Sequence, residues 1–121
     1  MSERKGAILN QSFAFAVRIV NLYKFLATEK KEFVLSKQLL RSGTAVGALV
    51  REAQNAESKA DFIHKLGIAQ KECDESIYWL ELLKETDFLK SEAFESIKAD
   101  AETLLKMIRS AIITTKKTLK K

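Results

Sequence analysis

"RSGTAVGALVREAQNA", residues 41–56, is the stretch on which the fold turns. It begins basic and small, becomes apolar and ends polar. Gly43 and Gly47, two of the four glycines in a chain without proline, stand one helical turn apart. Extended outward, the stretch shows a helical repeat: Leu35, Leu39, Ser42, Val46, Leu49 and Ala53 step by alternating fours and threes, which places them on one face. A glycine in a helix interior costs about 1 kcal/mol against alanine, so something must offset two of them. Ser42, Thr44, Ala45 and Ala48 make the whole neighbourhood small, and a small face lets another helix backbone come close. The alternative is a groove for a ligand or partner helix. Packing is the commoner reason for glycine in a helical pattern.

The rest of the chain repeats the period. Phe15, Ile19, Leu22 and Leu26 form one stripe, with Phe13, Val17 and Val20 forming a second on roughly the opposite side. Phe62, Leu66, Ala69, Cys73, Ser76, Leu80 and Leu83 form a third segment, and Phe94, Ile97, Ala101, Leu104, Ile108 and Ala111 a fourth. No stretch alternates with period two for long enough to be a strand. The breaks are short: "ATEKKEFVLS", "NAESKADF" and "KETDFLKSEAF". Ser58 with Asp61 three residues on has the form of a capping box. Ser91, or alternatively Asp87, is the expected N-cap of the last helix. Four helices with short connections predict an all-α, antiparallel up-down-up-down four-helix bundle, a single domain over residues 1–121.

Composition bounds the function. The chain has 121 residues, 46% apolar and 31% charged, which is the balance of a globular protein. No apolar run approaches the roughly 20 residues of a membrane span, and no signal peptide is visible in "MSERKGAILNQ", so a cytoplasmic protein without a membrane partner is expected. The one cysteine, Cys73, excludes an intrachain disulfide. The net charge of +5 is unevenly spread. Residues 57–87 carry four bases and eight acids, whereas residues 103–121 carry six bases and no acid. A basic end of this kind meets nucleic acid or another acidic surface, or serves only as a solubilising tail.

Sites for chemistry are scarce. A di-iron bundle needs two Glu-x-x-His motifs, and His64 is the only histidine. Asp61 and His64 are one ligand pair, too few for a closed metal site. Cys73 lies on the core stripe and reads as a small apolar residue. Cys73 and His64 are about 13 Å apart by helical rise, so they cannot form a nucleophile–base pair. There is no phosphate-binding glycine loop. Neither enzyme activity nor a cofactor is expected. Two basic lines remain: Lys37, Arg41 and Arg51 on one face of the second helix, and Lys106, Arg109, Lys116, Lys117 and Lys120 along the end of the fourth. A row of cations can track a phosphate backbone by neutralising it and releasing counterions, although such rows also arise on ordinary solvated faces.

Helix 1 is apolar on two sides, and "IYWL" at 77–80 is a full turn of large apolar residues. A monomeric bundle helix needs one buried stripe, so the surplus predicts self-association.

Residues 39–83, "LLRSGTAVGALVREAQNAESKADFIHKLGIAQKECDESIYWLELL", resemble the core motif of the 23S rRNA-intervening sequence proteins, a bacterial four-helix-bundle family also labelled S23 ribosomal protein. Arg41, Ser42, Val46, Ala48, Glu52, Ser58, Asp61, Phe62, Leu66, Ile68, Ala69 and Glu72 match its pattern. Gly43 and Gly47 fall within the same motif. Leu49 departs from the asparagine often found there, and Ala53 from the glycine. A leucine at 49 argues that this region packs rather than binding polar ligands. The family is similar to the accessory variability determinant of diversity-generating retroelements, so the resemblance implies a ring-like homo-oligomer, a pentamer, that binds RNA or DNA. A closed ring would use both apolar sides of helix 1. It also implies a rival role: a scaffold docking a protein partner, such as a polymerase or reverse transcriptase, through an apolar surface.

Overall fold

The computed structural model describes residues 3–119, with side chains from Lys5 onward. It contains four α-helices: α1 (Glu3–Glu29), α2 (Leu35–Ala53), α3 (Lys59–Glu85) and α4 (Ser91–Leu119). The described residues include no strand, as the unbroken helical period requires. Each helix packs on the next and α4 returns to α1, whereas the backbones of α1 and α3, like those of α2 and α4, stay apart across the diagonals. The seam between α1 and α4 is the slightest of the four. No described helix is long and apolar enough to cross a membrane.

The core is the set of stripes read from the sequence, with local shifts. Phe15, Ile19 and Leu26 of α1, Leu66, Leu80 and Leu83 of α3, and Leu104 and Ile108 of α4 are at most 1% exposed. In α2 the expected stripe is displaced. Val50 is fully buried and Leu49 only partly, and Ser36 and Gly43 are buried where Leu35 was expected to lead. In α4, Leu105 and Ile112 join the core beside Ala111, because a 29-residue helix drifts around its axis relative to a strict 3–4 spacing. The buried serine hydroxyls are paired. The hydroxyls of Ser42 and Ser76 lie 2.9 Å apart across the α2–α3 contact, and Ser12 donates to the carbonyl of Leu9.

The helix ends show what punctuates a chain without proline. Ser58 caps α3, its Oγ accepting the backbone N–H of Asp61 at 3.0 Å. The Asp61 carboxylate reaches back to the N–H of Glu57 at 3.2 Å, one residue before the cap. Ser91 is not the cap of α4; it is the first helical residue, and the carbonyl of Lys90 accepts the first intrahelical bond, from Phe94. Asp87 instead ends α3. It takes a left-handed conformation (φ 68°), and the N–H groups of Asp87 and Phe88 close onto the carbonyls of Lys84 and Leu83, the Schellman pattern with aspartate where glycine is usual.

At the start of α2 the cap is Glu32. Its carboxylate accepts from the backbone N–H groups of Val34, Leu35 and Ser36 at 3.0, 3.0 and 2.7 Å. Burial by itself raises the Glu32 pKa, but the backbone N–H groups and the Ser36 hydroxyl outweigh it and hold the carboxyl below its ordinary value.

Candidate nucleic-acid interface

The small face of α2 is where α1 crosses it. A Cβ placed on Gly43 would stand 2.8 Å from both Cγ1 and Cγ2 of Ile19, and one on Gly47 would stand 3.2 Å from the backbone carbonyl oxygen of Ser12. The close approach offsets the conformational cost of the glycines. Alongside Gly47 lies an open groove of about 450 Å³, bordered by Phe13 and Ala16 of α1 and by Thr44, Ala48 and Arg51 of α2, with Asn55 beyond the end of α2. The glycines of the small face thus serve packing against α1, and an open groove lies beside them.

Phe13 is 59% exposed and Val17 44%, so the second apolar stripe of α1 is uncovered in the single chain and runs beside this groove. Lys37 and Arg51 are exposed, and neither forms an ion pair with a described residue. Arg41, expected in the same row, is drawn off it. Its Nη1 lies 3.2 Å from Glu72 of α3, and its Nη2 donates to Glu75. Glu75 also accepts from the indole N–H of Trp79 at 2.9 Å. The Trp79 hydrogen bond first, then Arg41, holds the Glu75 carboxyl below its ordinary value against its partial burial, and Glu72 and Glu75 raise the Arg41 pKa. With two carboxylates already on its guanidinium, Arg41 ties α2 to α3 and is a poor phosphate ligand.

The α4 cations divide from the α2 row. Lys106, Arg109, Lys116 and Lys117 are exposed, but the backbones of α4 and α2 stay apart. The two sets therefore occupy opposite corners of the bundle and do not build one face. They approach each other only where α2 and α4 both end. Lys120 lies outside the described residues.

The remaining motif positions hold the scaffold. Glu52 pairs with Lys65 of α3 at 3.1 Å, Ser42 meets Ser76, Asp61 closes the turn before α3, and Phe62 packs half-buried against the core. His64 is exposed. Among the described residues no group of three His, Cys, Asp or Glu side chains could hold a metal. The Cys73 thiol is fully buried and donates to the carbonyl of Ala101 at 3.3 Å. Burial, with Asp74 adding and Arg109 opposing, pushes its pKa up to about 12, so it is inert as a nucleophile.

Sequence reasoning missed three contacts. Arg18 of α1 pairs with Asp100 of α4 at 2.7 Å across the weakest seam. Trp79 is anchored through Glu75. Glu32 is a cap. The first joins residues 82 positions apart, which no local pattern marks; the second is an i,i+4 pair that helical spacing alone places on one face of α3. The third could have been read from an acid placed just before a helix start.

The geometry and the family comparison agree on what kind of protein this is. The model of the 23S rRNA-intervening sequence protein family matches residues 4–110. The chain belongs to that family. Among solved structures it is similar to a protein of unknown function of the S23 ribosomal protein family from Bacteroides thetaiotaomicron, with 54% identity and a TM-score of 0.89, over 90% of this chain and 97% of the other. No curated protein matches the chain. The matched region takes in α2 and α3 whole and all of the residues from Arg41 to Glu72 that carry the family resemblance.

Proposed function

We propose that this chain is a non-enzymatic, cytoplasmic nucleic-acid-binding protein that acts as a homo-oligomer, a pentamer, of antiparallel up-down-up-down bundles. The antiparallel order is supported by paired positions that run in opposite directions on adjacent helices: Ser12 with Gly47 and Ile19 with Gly43, and Ser42 with Ser76 and Glu52 with Lys65. Self-association is supported by the uncovered Phe13 and Val17.

The observation that carries nucleic-acid binding is the pair of exposed cations on one face of α2 without an ion pair among the described residues, Lys37 and Arg51, with Arg51 at the border of a groove rimmed by an exposed aromatic ring. Two free cations on one helix face suit a phosphate backbone, with little base readout along α2. Lys106, Arg109, Lys116 and Lys117 of α4 supply a second basic corner. In an assembly that corner would face a different segment of the same nucleic acid.

The test is fluorescence anisotropy with a labelled structured RNA and a matched DNA duplex at low and moderate salt. Micromolar binding that falls steeply with salt is expected. The Lys37→Glu, Arg51→Glu double variant should weaken it and flatten the logarithmic salt slope by about 2, near 0.9 per lost phosphate contact. No binding at low salt, or unchanged affinity in the double variant, would overturn the assignment.

A second reading rests on a separate observation. Tyr78 is 54% exposed and stacks edge-on against Trp79, at a ring separation of 4.9 Å, an aromatic pair suited to docking a protein such as a polymerase or reverse transcriptase. Binding through it would be nearly insensitive to salt.

A further inference from the structure

Lys37, Arg41 and Arg51 share one face of α2, and Arg41 alone of the three is held by carboxylates. Its Nη1 donates to Oε2 of Glu72 at 3.3 Å, and its Nη2 donates to Oε2 of Glu75. Both acids belong to α3. Lys37 lies one turn before Arg41, so their Cβ atoms are neighbours at about 5–6 Å. Arg51 stands about 15 Å further along the helix by its rise.

Three features make this contact releasable. The guanidinium is at the surface: the Arg41 side chain is 52% exposed, against 20% for Glu72 and 36% for Glu75. An incoming anion therefore reaches it without disturbing the core. The carboxylates do not depend on it. Glu75 also accepts the indole N–H of Trp79 at 2.9 Å, through the same oxygen, and keeps that partner when Arg41 leaves. The grip of Glu72 is loose, since its Oε1, 3.2 Å from Nη1, forms no hydrogen bond. Nor does the bundle depend on it. The Ser42–Ser76 hydroxyl pair and the Glu52–Lys65 ion pair also join α2 to α3.

A guanidinium recognises phosphate and carboxylate in the same way, through paired N–H···O bonds. The two kinds of anion therefore compete for one fork of donors. Exposed ion pairs are individually weak, so the competition is one that a phosphate can enter.

We propose that Glu72 and Glu75 form an electrostatic lock that holds Arg41 out of the α2 cation row. The locked protein offers a nucleic acid two contacts on this face, Lys37 and Arg51, and keeps Arg41 as a third in reserve. Opening the lock places three cations on one face within about 21 Å. The lock regulates the phosphate-binding face described above and rests on that reading. A simpler account is that two acids near the row merely repel a polyanion. The two accounts differ in whether Arg41 is required.

The test measures binding of the labelled structured RNA by fluorescence anisotropy over a range of salt. It compares four full-length proteins: wild type, Arg41→Gln, the Glu72→Gln, Glu75→Gln double variant, and the triple variant. Glutamine preserves side-chain shape and can still accept the Trp79 hydrogen bond, and urea midpoints report that each variant is folded. The double variant should bind up to about tenfold tighter, the combined strength of two exposed ion pairs. Its logarithmic salt slope should steepen by about 0.9, one further phosphate contact. Arg41→Gln should stay within about twofold of wild type, and the triple variant should show none of the gain. A gain that survives in the triple variant, a double variant that binds like wild type, or a loss in Arg41→Gln as large as that in Lys37→Gln would each overturn the lock. Binding by the double variant alone would support it. RNA binding by none of the four proteins would sink the nucleic-acid reading and the lock with it, whereas binding indifferent to these substitutions would sink the lock alone.

Discussion

Replacing Gly43 by alanine tests the central packing argument, because two opposed effects meet at one atom. The added methyl removes the helix penalty of glycine, a gain of about 1 kcal/mol. It also places a Cβ 2.8 Å from both γ-carbons of Ile19. Those carbons sit directly on the branched Cβ of a fully buried side chain, which has no alternative rotamer to retreat to. Overpacking of this sort costs about 1–3 kcal/mol, so Gly43→Ala should be net destabilising by up to about 2 kcal/mol.

Gly67 supplies the control. It lies within α3, and a Cβ there would meet nothing within 4 Å. Gly67→Ala should therefore gain about 1 kcal/mol by the same propensity term with no opposing contact. The two variants should differ by about 1–3 kcal/mol, or roughly 4–12 °C in Tm for a domain of this size. Thermal and urea unfolding at one fixed protein concentration reads this difference.

Ile19→Ala completes the cycle. It removes both clashing carbons, so its cost should be smaller in the Gly43→Ala background, with a coupling of about 0.5–3 kcal/mol. If Gly43→Ala stabilised the protein as much as Gly67→Ala, the close approach of α1 would not be the reason for glycine at 43.

Three further outcomes follow from the same geometry. Glu32→Gln should destabilise by about 1–2 kcal/mol through loss of the charged cap of α2. Because the folded pKa of Glu32 is lowered, its stabilisation is complete above the unfolded value near 4.5 and disappears as pH falls through the folded one, so wild type should lose more stability than the variant on acid titration. Cys73, with its thiol pushed up to about 12, should resist a thiol reagent at pH 8 in the folded protein and react at once in denaturant; rapid labelling of the native state would contradict its burial. Asp87→Gly should stabilise by about 1 kcal/mol, since Asp87 holds a left-handed φ of 68° that glycine adopts without strain; an unchanged urea midpoint would refute this.

Residue spacing along the chain is enough to set the helices. Their period, their number and most of their buried stripes follow from the spacing of apolar residues, because a 3.6-residue repeat leaves one face to be hidden from water. The sequence also supplied the family motif and the Ser58 cap, both local patterns. Where its reading slipped, the cause was non-local. Val50 rather than Leu49 faces the core because α1 and α3 set the rotation of α2. Ser91 yields the cap position to Lys90 because the chain first reverses through Asp87.

The site was less legible still. Lys37, Arg41 and Arg51 share a face in the sequence, but only the approach of α3 reveals that Glu72 and Glu75 already hold Arg41. The α2 and α4 cations look like one basic surface until the diagonal placement of their helices separates them. Spacing along one helix fixes which side chains share a face. Which charges remain free depends on side chains brought in from elsewhere in the chain, and only tertiary packing decides that.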